Sequence, residues 1–171
     1  KRTLSALLFL RISKAYLELM AKRHLRLLDL YWRRGRENVT PRFVLDSSAV
    51  SLYFAGRKEV ERFIEDAYRG RNQLYMCEIN VAEFLYNTAK VLGWETAIIR
   101  HSVLRNSPIK IVTLDEELTL ESARLKHKYW NKLSLADAYL VALAKQLRAK
   151  IVTSDTTLAE IEEAETVLVP L

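Results

Sequence analysis

The stretch Phe43-Val44-Leu45-Asp46-Ser47-Ser48-Ala49 decides how the rest of the chain is read. Its short apolar run describes a buried strand, and the acid with two serines describes a polar turn able to cap a helix starting near Ala49. An apolar strand without alternation needs cover on both faces, and helices supply it. The expected pattern is therefore strand and helix in alternation, built outward from this one strand.

Toward the C-terminus the alternation continues. Helical spacing from Lys58 to Tyr68 stops at Gly70, and Leu74-Tyr75-Met76 forms a second brief strand. Val81, Phe84, Leu85, Thr88 and Val91 mark a helix closed by Gly93, and the spacing resumes from Trp94 to Leu104. Ile109 to Val112 reads as a strand, Glu116 to Tyr129 as a helix, and Ser134 to Leu147 as a strongly apolar helix. Ile151-Val152 is a strand, Leu158 to Ala164 a short helix, and Thr166 to Val169 a last strand. Short apolar strands joined through helices require crossover connections. The fold class is thus α/β over residues 42–171: three layers, helices on both faces of a mostly parallel sheet.

Toward the N-terminus the composition changes. Leu4, Leu7, Leu8, Ile12, Leu17, Met20, Leu27, Leu28 and Tyr31 recur at helical spacing among Arg11, Lys14, Lys22, Arg23 and Arg26. This predicts a basic amphipathic helix, followed by a linker from Arg33 to Pro41 that loses the period; residues 1–41 are read as an extension. The formal charge of +6 belongs to it, because residues 1–42 hold eleven Lys or Arg and three acids, while the remainder hold sixteen and eighteen. The main domain is therefore slightly acidic, and its function has to be read from its sites. The longest apolar run, Ala6 to Leu10, is too short for a bilayer span and no export signal is found, so a cytoplasmic protein without a membrane segment is expected. One cysteine, Cys77, excludes an internal disulfide and a thiolate cluster, and His24, His101 and His127 lack metal-ligand spacing.

Chemistry is carried by acids placed against the hydrophobic pattern. In open sheets ligands sit outside the carboxyl ends of the strands, and Asp46 and Asp155 each follow a predicted strand there. Glu83 and Asp137 interrupt the apolar patterns of two helices near their starts, where an ionised carboxylate is costly unless compensated. Each acid also has a structural reading: Asp46 and Asp155 as helix caps, Glu83 as a first-turn acid favoured by the dipole, Asp137 as partner of Ser134 in a capping box. Converging carboxylates repel, so either some remain protonated or a divalent cation lies between them. All-oxygen ligands select Mg2+ or Mn2+, and such a site suits metal-assisted phosphoryl hydrolysis. Asn in place of Asp46 or Asp137 should then abolish cleavage and raise stability in the absence of metal.

Val44-Leu45-Asp46-Ser47-Ser48-Ala49, Val81-Ala82-Glu83-Phe84, Leu135-Ala136-Asp137-Ala138 and Ile151-Val152-Thr153-Ser154-Asp155 resemble, in order and spacing, the four acidic motifs of PIN-domain ribonucleases. The nearest subgroup is the VapC toxins of type II toxin-antitoxin systems, and residues 1–41 depart from its usual pattern. The resemblance implies a PIN-like fold, a Mg2+- or Mn2+-dependent endoribonuclease acting on RNA, a homodimer, and inhibition by a VapB-like antitoxin. It also implies that Asp46, Glu83, Asp137 and Asp155 are catalytic metal ligands, with Ser48 and Thr153 orienting carboxylates. Lys126, Lys128, Trp130 and Lys132, just upstream of Asp137, are candidates for RNA contact, with a solvated helix end as the alternative. Two other functions stay open: a silent PIN-like module that binds RNA or protein, and a PIN nuclease in RNA processing outside a toxin-antitoxin pair.

Overall fold

The computed structural model describes residues 40–171. The predicted amphipathic helix of residues 1–41 lies outside the described residues, apart from the last two positions of its linker.

Five strands form one sheet: β1 (Arg42–Leu45), β2 (Gln73–Cys77), β3 (Ile109–Val112), β4 (Lys150–Thr153) and β5 (Thr166–Leu168). Their order is β3-β2-β1-β4-β5, and every pairing is parallel. The seven helices are α1 (Ser47–Phe54), α2 (Lys58–Tyr68), α3 (Glu78–Leu92), α4 (Trp94–Arg105), α5 (Glu116–Lys128), α6 (Leu135–Leu147) and α7 (Thr156–Ala159). The α/β expectation holds, and "mostly parallel" sharpens to wholly parallel, as a sheet whose strands are all joined through helical crossovers should be.

The strands are apolar on both sides because each side has its own core. Val44 and Ile151 pack with the α5 and α6 side chains Leu118, Leu125, Leu140 and Val141, whereas their neighbours Leu45 and Val152 pack with Val50, Ile64, Phe84 and Leu104 from α1 to α4. Successive strand residues point to opposite faces, so one short run feeds two cores and each helix layer buries its apolar stripe against one of them. Gly93 joins α3 directly to α4 at φ 84°, a backbone conformation that favours glycine, and the ion pair between Glu78 and Arg105 closes the far end of this antiparallel hairpin.

Two helix boundaries differ from the sequence reading for one reason. Asp46 and Asp155 are N-caps, so α1 starts at Ser47 ahead of Ala49, and α7 starts at Thr156 and ends at Ala159 instead of running from Leu158 to Ala164. The chain then turns so that Ile151 N–H can donate to Glu165 O at 2.8 Å, and β5 begins.

Strand order reverses beside β1. The chain builds β2 and β3 on one side of it and β4 and β5 on the other, so the crevice beyond the carboxyl ends of β1 and β4 is the switch point where ligands of such sheets bind.

Candidate active site

The buried carboxylate of Asp46, directly after β1, is the hub of that crevice. Its Oδ1 accepts from Ser47 N–H at 2.6 Å, and its Oδ2 accepts from Ser48 Oγ at 2.6 Å and Thr153 Oγ1 at 2.8 Å. Thr153 is the last residue of β4, so this bond ties the two strands flanking the switch point. Its Oγ1 also accepts from Asp155 N–H at 3.0 Å, and Ser48 Oγ accepts from Ser154 N–H at 3.1 Å. Ser48 and Thr153 therefore orient the Asp46 carboxylate and fix the turn that carries Asp155.

Ser47 links this hub to α3. Its hydroxyl lies 3.3 Å from Asp46 Oδ1 and 2.9 Å from Glu83 Oε2, and with one hydrogen to give, the shorter contact takes it. The half-buried Glu83 carboxyl is held above the usual carboxylate range, chiefly by burial and further by the negative charges of Asp46 and Asp137, against the hydrogen bonds of Ser47 and Asn80. Asp46 and Asp137 are thus each within electrostatic reach of Glu83, although the three come from separate elements.

The structural readings of the three aspartates hold as well, but that of Glu83 does not: α3 starts at Glu78, which is its first-turn acid, and Glu83 lies in the second turn, away from the helix N-terminus. Asp155 Oδ1 accepts from Thr157 N–H at 2.8 Å and caps α7. Ser134 and Asp137 form a complete capping box at α6: Asp137 N–H donates to Ser134 Oγ at 3.0 Å and Ser134 N–H to Asp137 Oδ2 at 2.8 Å. An aspartate fills the position more often taken by Glu or Gln. Three of the four acids are thus helix caps.

Among the described residues, no three His, Cys, Asp or Glu side chains are gathered in an arrangement able to hold a metal ion. The donor chemistry nonetheless fits a hard dication. Asp137 Oδ1 and Asp155 Oδ2 accept no hydrogen bond among the described residues, and no Lys or Arg there pairs with any of the four acids. Negative charge that burial penalises, with no Lys or Arg among the described residues paired to it, suits Mg2+ or Mn2+.

The basic residues proposed for RNA contact are largely committed within the chain. Lys126 Nζ donates to Trp130 O at 2.6 Å and Leu133 O at 2.5 Å, closing the turn between α5 and α6. Lys128 pairs with Glu163 at 2.7 Å and Lys132 with Glu160 at 3.6 Å, while Trp130 is 73% exposed and open to a stacking partner. Two residues of the site went unnoticed in the sequence: Ser47, masked by the capping role of its neighbours, and Asn80, whose only signal is a polar residue one helical turn before Glu83.

Residues 43–164 match the family described as PIN domain. The chain belongs to the PIN-domain family. PIN domains are typically nucleases and typically use divalent metals. Among solved structures, this PIN domain is similar to VapBC2 from Rickettsia felis bound to a DNA fragment from its promoter (16% identity, 74% of this chain and 97% of that chain, TM-score 0.62). It is also similar to VapC20 of Mycobacterium tuberculosis, a sarcin-ricin loop cleaving toxin (12% identity, 69% and 93%, TM-score 0.56). A third such structure is FitAcB from Neisseria gonorrhoeae (20% identity, 72% and 95%, TM-score 0.56). At these identities the likeness is one of fold. No curated protein matches the sequence. Among the described residues no helix is long and apolar enough to cross a membrane.

Proposed function

We propose that this PIN domain is a Mg2+- or Mn2+-dependent endoribonuclease, acting as the toxin of a VapBC-type pair. The observation that carries the reading is a set of acids at the switch point that no Lys or Arg among the described residues pairs with, two of them, Asp46 and Asp137, near enough to add to the raised proton affinity of the half-buried Glu83. Asp46, Glu83, Asp137 and Asp155 would hold the metal, which supplies Lewis-acid stabilisation of charge on a scissile phosphate.

The chain's own groups do the positioning. Ser48 and Thr153 fix Asp46, Ser47 fixes Glu83, and the capping box fixes Asp137 on the first turn of α6. Glu83, with its raised proton affinity, is the carboxylate suited to take a proton from the attacking water. The water oxygen bonds to phosphorus as the bond to the 3′ oxygen breaks, and the proton passes to that oxygen, leaving 3′-hydroxyl and 5′-phosphate ends. Trp130 stands ready to stack a base of single-stranded RNA.

A VapB-like antitoxin and a second copy of the chain are the partners of this reading. Support comes from the structural neighbours, which include toxin-antitoxin complexes, and from apolar side chains left exposed along α3 and α4: Val91, Leu92, Trp94, Ile98 and Ile99. A cytoplasmic location follows from an RNA target.

One observation favours a second reading, a silent module that binds RNA or protein: the three aspartates are already employed as caps. Incubating the protein with a structured RNA separates the two. Cleavage that requires Mn2+ or Mg2+ and is lost in Asp137→Asn supports the nuclease; RNA bound but uncut, with no metal-dependent rise in melting temperature, supports the module.

A further inference from the structure

We infer that Asn80 is a positioning residue of this site, coupling the helix that carries Glu83 to the helix turn that carries Asp137. Its side chain is fully buried in the first turn of α3. Nδ2 donates to Ala136 O at 3.4 Å, on the residue that precedes Asp137 in the capping box of α6. Asn80 lies one helical turn before Glu83 on α3, and its carboxamide favours the charged form of that carboxyl. One carboxamide thus reaches both elements that bring acids to the rim, and it does so from beneath the site, outside solvent.

The stability of the fold gives a carboxamide little reason to be there. Among the described residues Asn80 Oδ1 has no hydrogen-bond partner, and a buried acceptor left unpaired is costly, so an apolar residue of the same volume would pack at least as well. A polar group kept at such a position is explained if its other end does something packing cannot. Here that is setting the spacing between α3 and the start of α6, and with it the spacing of Glu83 and Asp137. Partners that orient metal-binding carboxylates typically matter by about 10–100-fold in metal affinity.

Asn72 provides an internal control. It too is buried, donates Nδ2 to a backbone carbonyl (Phe63 O, 3.0 Å) and leaves Oδ1 unpaired, but it precedes β2, at the opposite end of the sheet from the acids. A general structural demand for buried asparagine would treat the two alike.

This inference rests on the nuclease reading, and the experiment keeps the two apart. Mn2+ binding is measured by titration calorimetry on the full chain and on Asn80→Leu, Asn80→Ala and Asn72→Leu, beside metal-free melting temperatures. Expected are an unchanged or higher melting temperature for Asn80→Leu, Mn2+ affinity down about 10-fold or more in both Asn80 variants, and wild-type affinity in Asn72→Leu. Wild-type Mn2+ affinity in folded Asn80→Leu, or an equal loss in Asn72→Leu, overturns the positioning role and leaves the nuclease reading standing. A wild-type protein that binds no Mn2+ and cuts no RNA overturns the nuclease reading and this inference with it.

Discussion

Glu83 and Glu163 carry the same side chain into opposite surroundings. Glu163 lies between two lysines, with Lys128 Nζ and Lys145 Nζ each 2.7 Å from its carboxylate, and these hydrogen bonds and charges hold its carboxyl down at about 2. Glu83 is half-buried beside the charges of Asp46 and Asp137, with no Lys or Arg among the described residues paired to it, so its proton affinity rises. A fold optimised for stability alone would treat both acids as it treats Glu163, because charge is inexpensive where it is paired and costly where it is not. The contrast marks the Asp46 rim as the place where this chain departs from that practice.

The largest effect expected from disturbing the rim is on chemistry. Asp137→Asn should reduce metal-dependent RNA cleavage on the order of a hundredfold or more, since it removes a charged ligand where loss of a merely orienting group already costs 10–100-fold. Its melting temperature should hardly change, where relief of repulsion alone predicts a rise, because Asn can still accept from Ser134 N–H and the relief is offset by loss of an acid at the positive end of α6. Initial rates at saturating Mn2+, read beside a thermal melt, check both halves.

Stability comes next, and here the structure moves an expectation. Relief of like-charge repulsion predicts that Asn at Asp46 stabilises the metal-free protein, but both Asp46 oxygens accept from surrounding N–H and O–H donors. An amide nitrogen there would face groups already turned to donate, so Asp46→Asn should lose stability. Glu83 is the residue where neutralisation helps. Glu83→Gln keeps an acceptor for Ser47 Oγ and removes the penalised charge, and should raise the metal-free melting temperature by about 2–4 °C, or ~1 kcal/mol. The sign with pH follows: a carboxyl whose folded proton affinity is raised favours the fold at low pH and loses that contribution as pH rises through its folded pKa. The advantage of Glu83→Gln over wild type, measured by urea unfolding without metal, should therefore be largest at neutral pH and shrink on acidification.

The places of Asp46, Asp137 and Asp155 at element boundaries were legible in the sequence because strand ends and helix starts are local features; Glu83 was read into a first turn that in fact begins at Glu78. Val44-Leu45 preceding Asp46, and Val152-Thr153 preceding Asp155, announce where β1 and β4 stop, and parallel pairing brings their ends to one edge. What was illegible depends on partners far away in the chain. Ser47 matters because of Glu83, 36 positions on, and Asn80 because of Ala136, 56 positions on; neither separation leaves a periodic trace. Lys126 shows the reverse case. Beside Trp130 it resembles a phosphate contact, yet tertiary folding turns it onto two carbonyls of its own loop. The capping box of Asp137 was visible as a spacing from Ser134, and its compatibility with a site role became clear only from the carboxylate oxygen the cap leaves unused.

The smallest expected effect lies on the paired side of the comparison and tests whether Glu163 is what it has been contrasted as. Its folded pKa of about 2 lies below the ordinary 4.5, so its contribution to stability is present above the unfolded value and disappears as pH falls from about 5 through about 2. Full conversion of that difference gives ~3 kcal/mol, but Lys128 is mostly exposed and solvent screens the pair, leaving ~1 kcal/mol. Glu163→Gln should then cost about that much at pH 7 and nothing near pH 2, and Lys145→Met should cost a similar amount, because Lys145 also holds Glu121 at 2.6 Å. Chemical denaturation across this range gives slopes that can be set against those of Glu83→Gln. Opposite signs for the two glutamates confirm that one acid is compensated by the fold and the other is not; slopes of the same sign would remove the electrostatic ground for singling out the Asp46 rim.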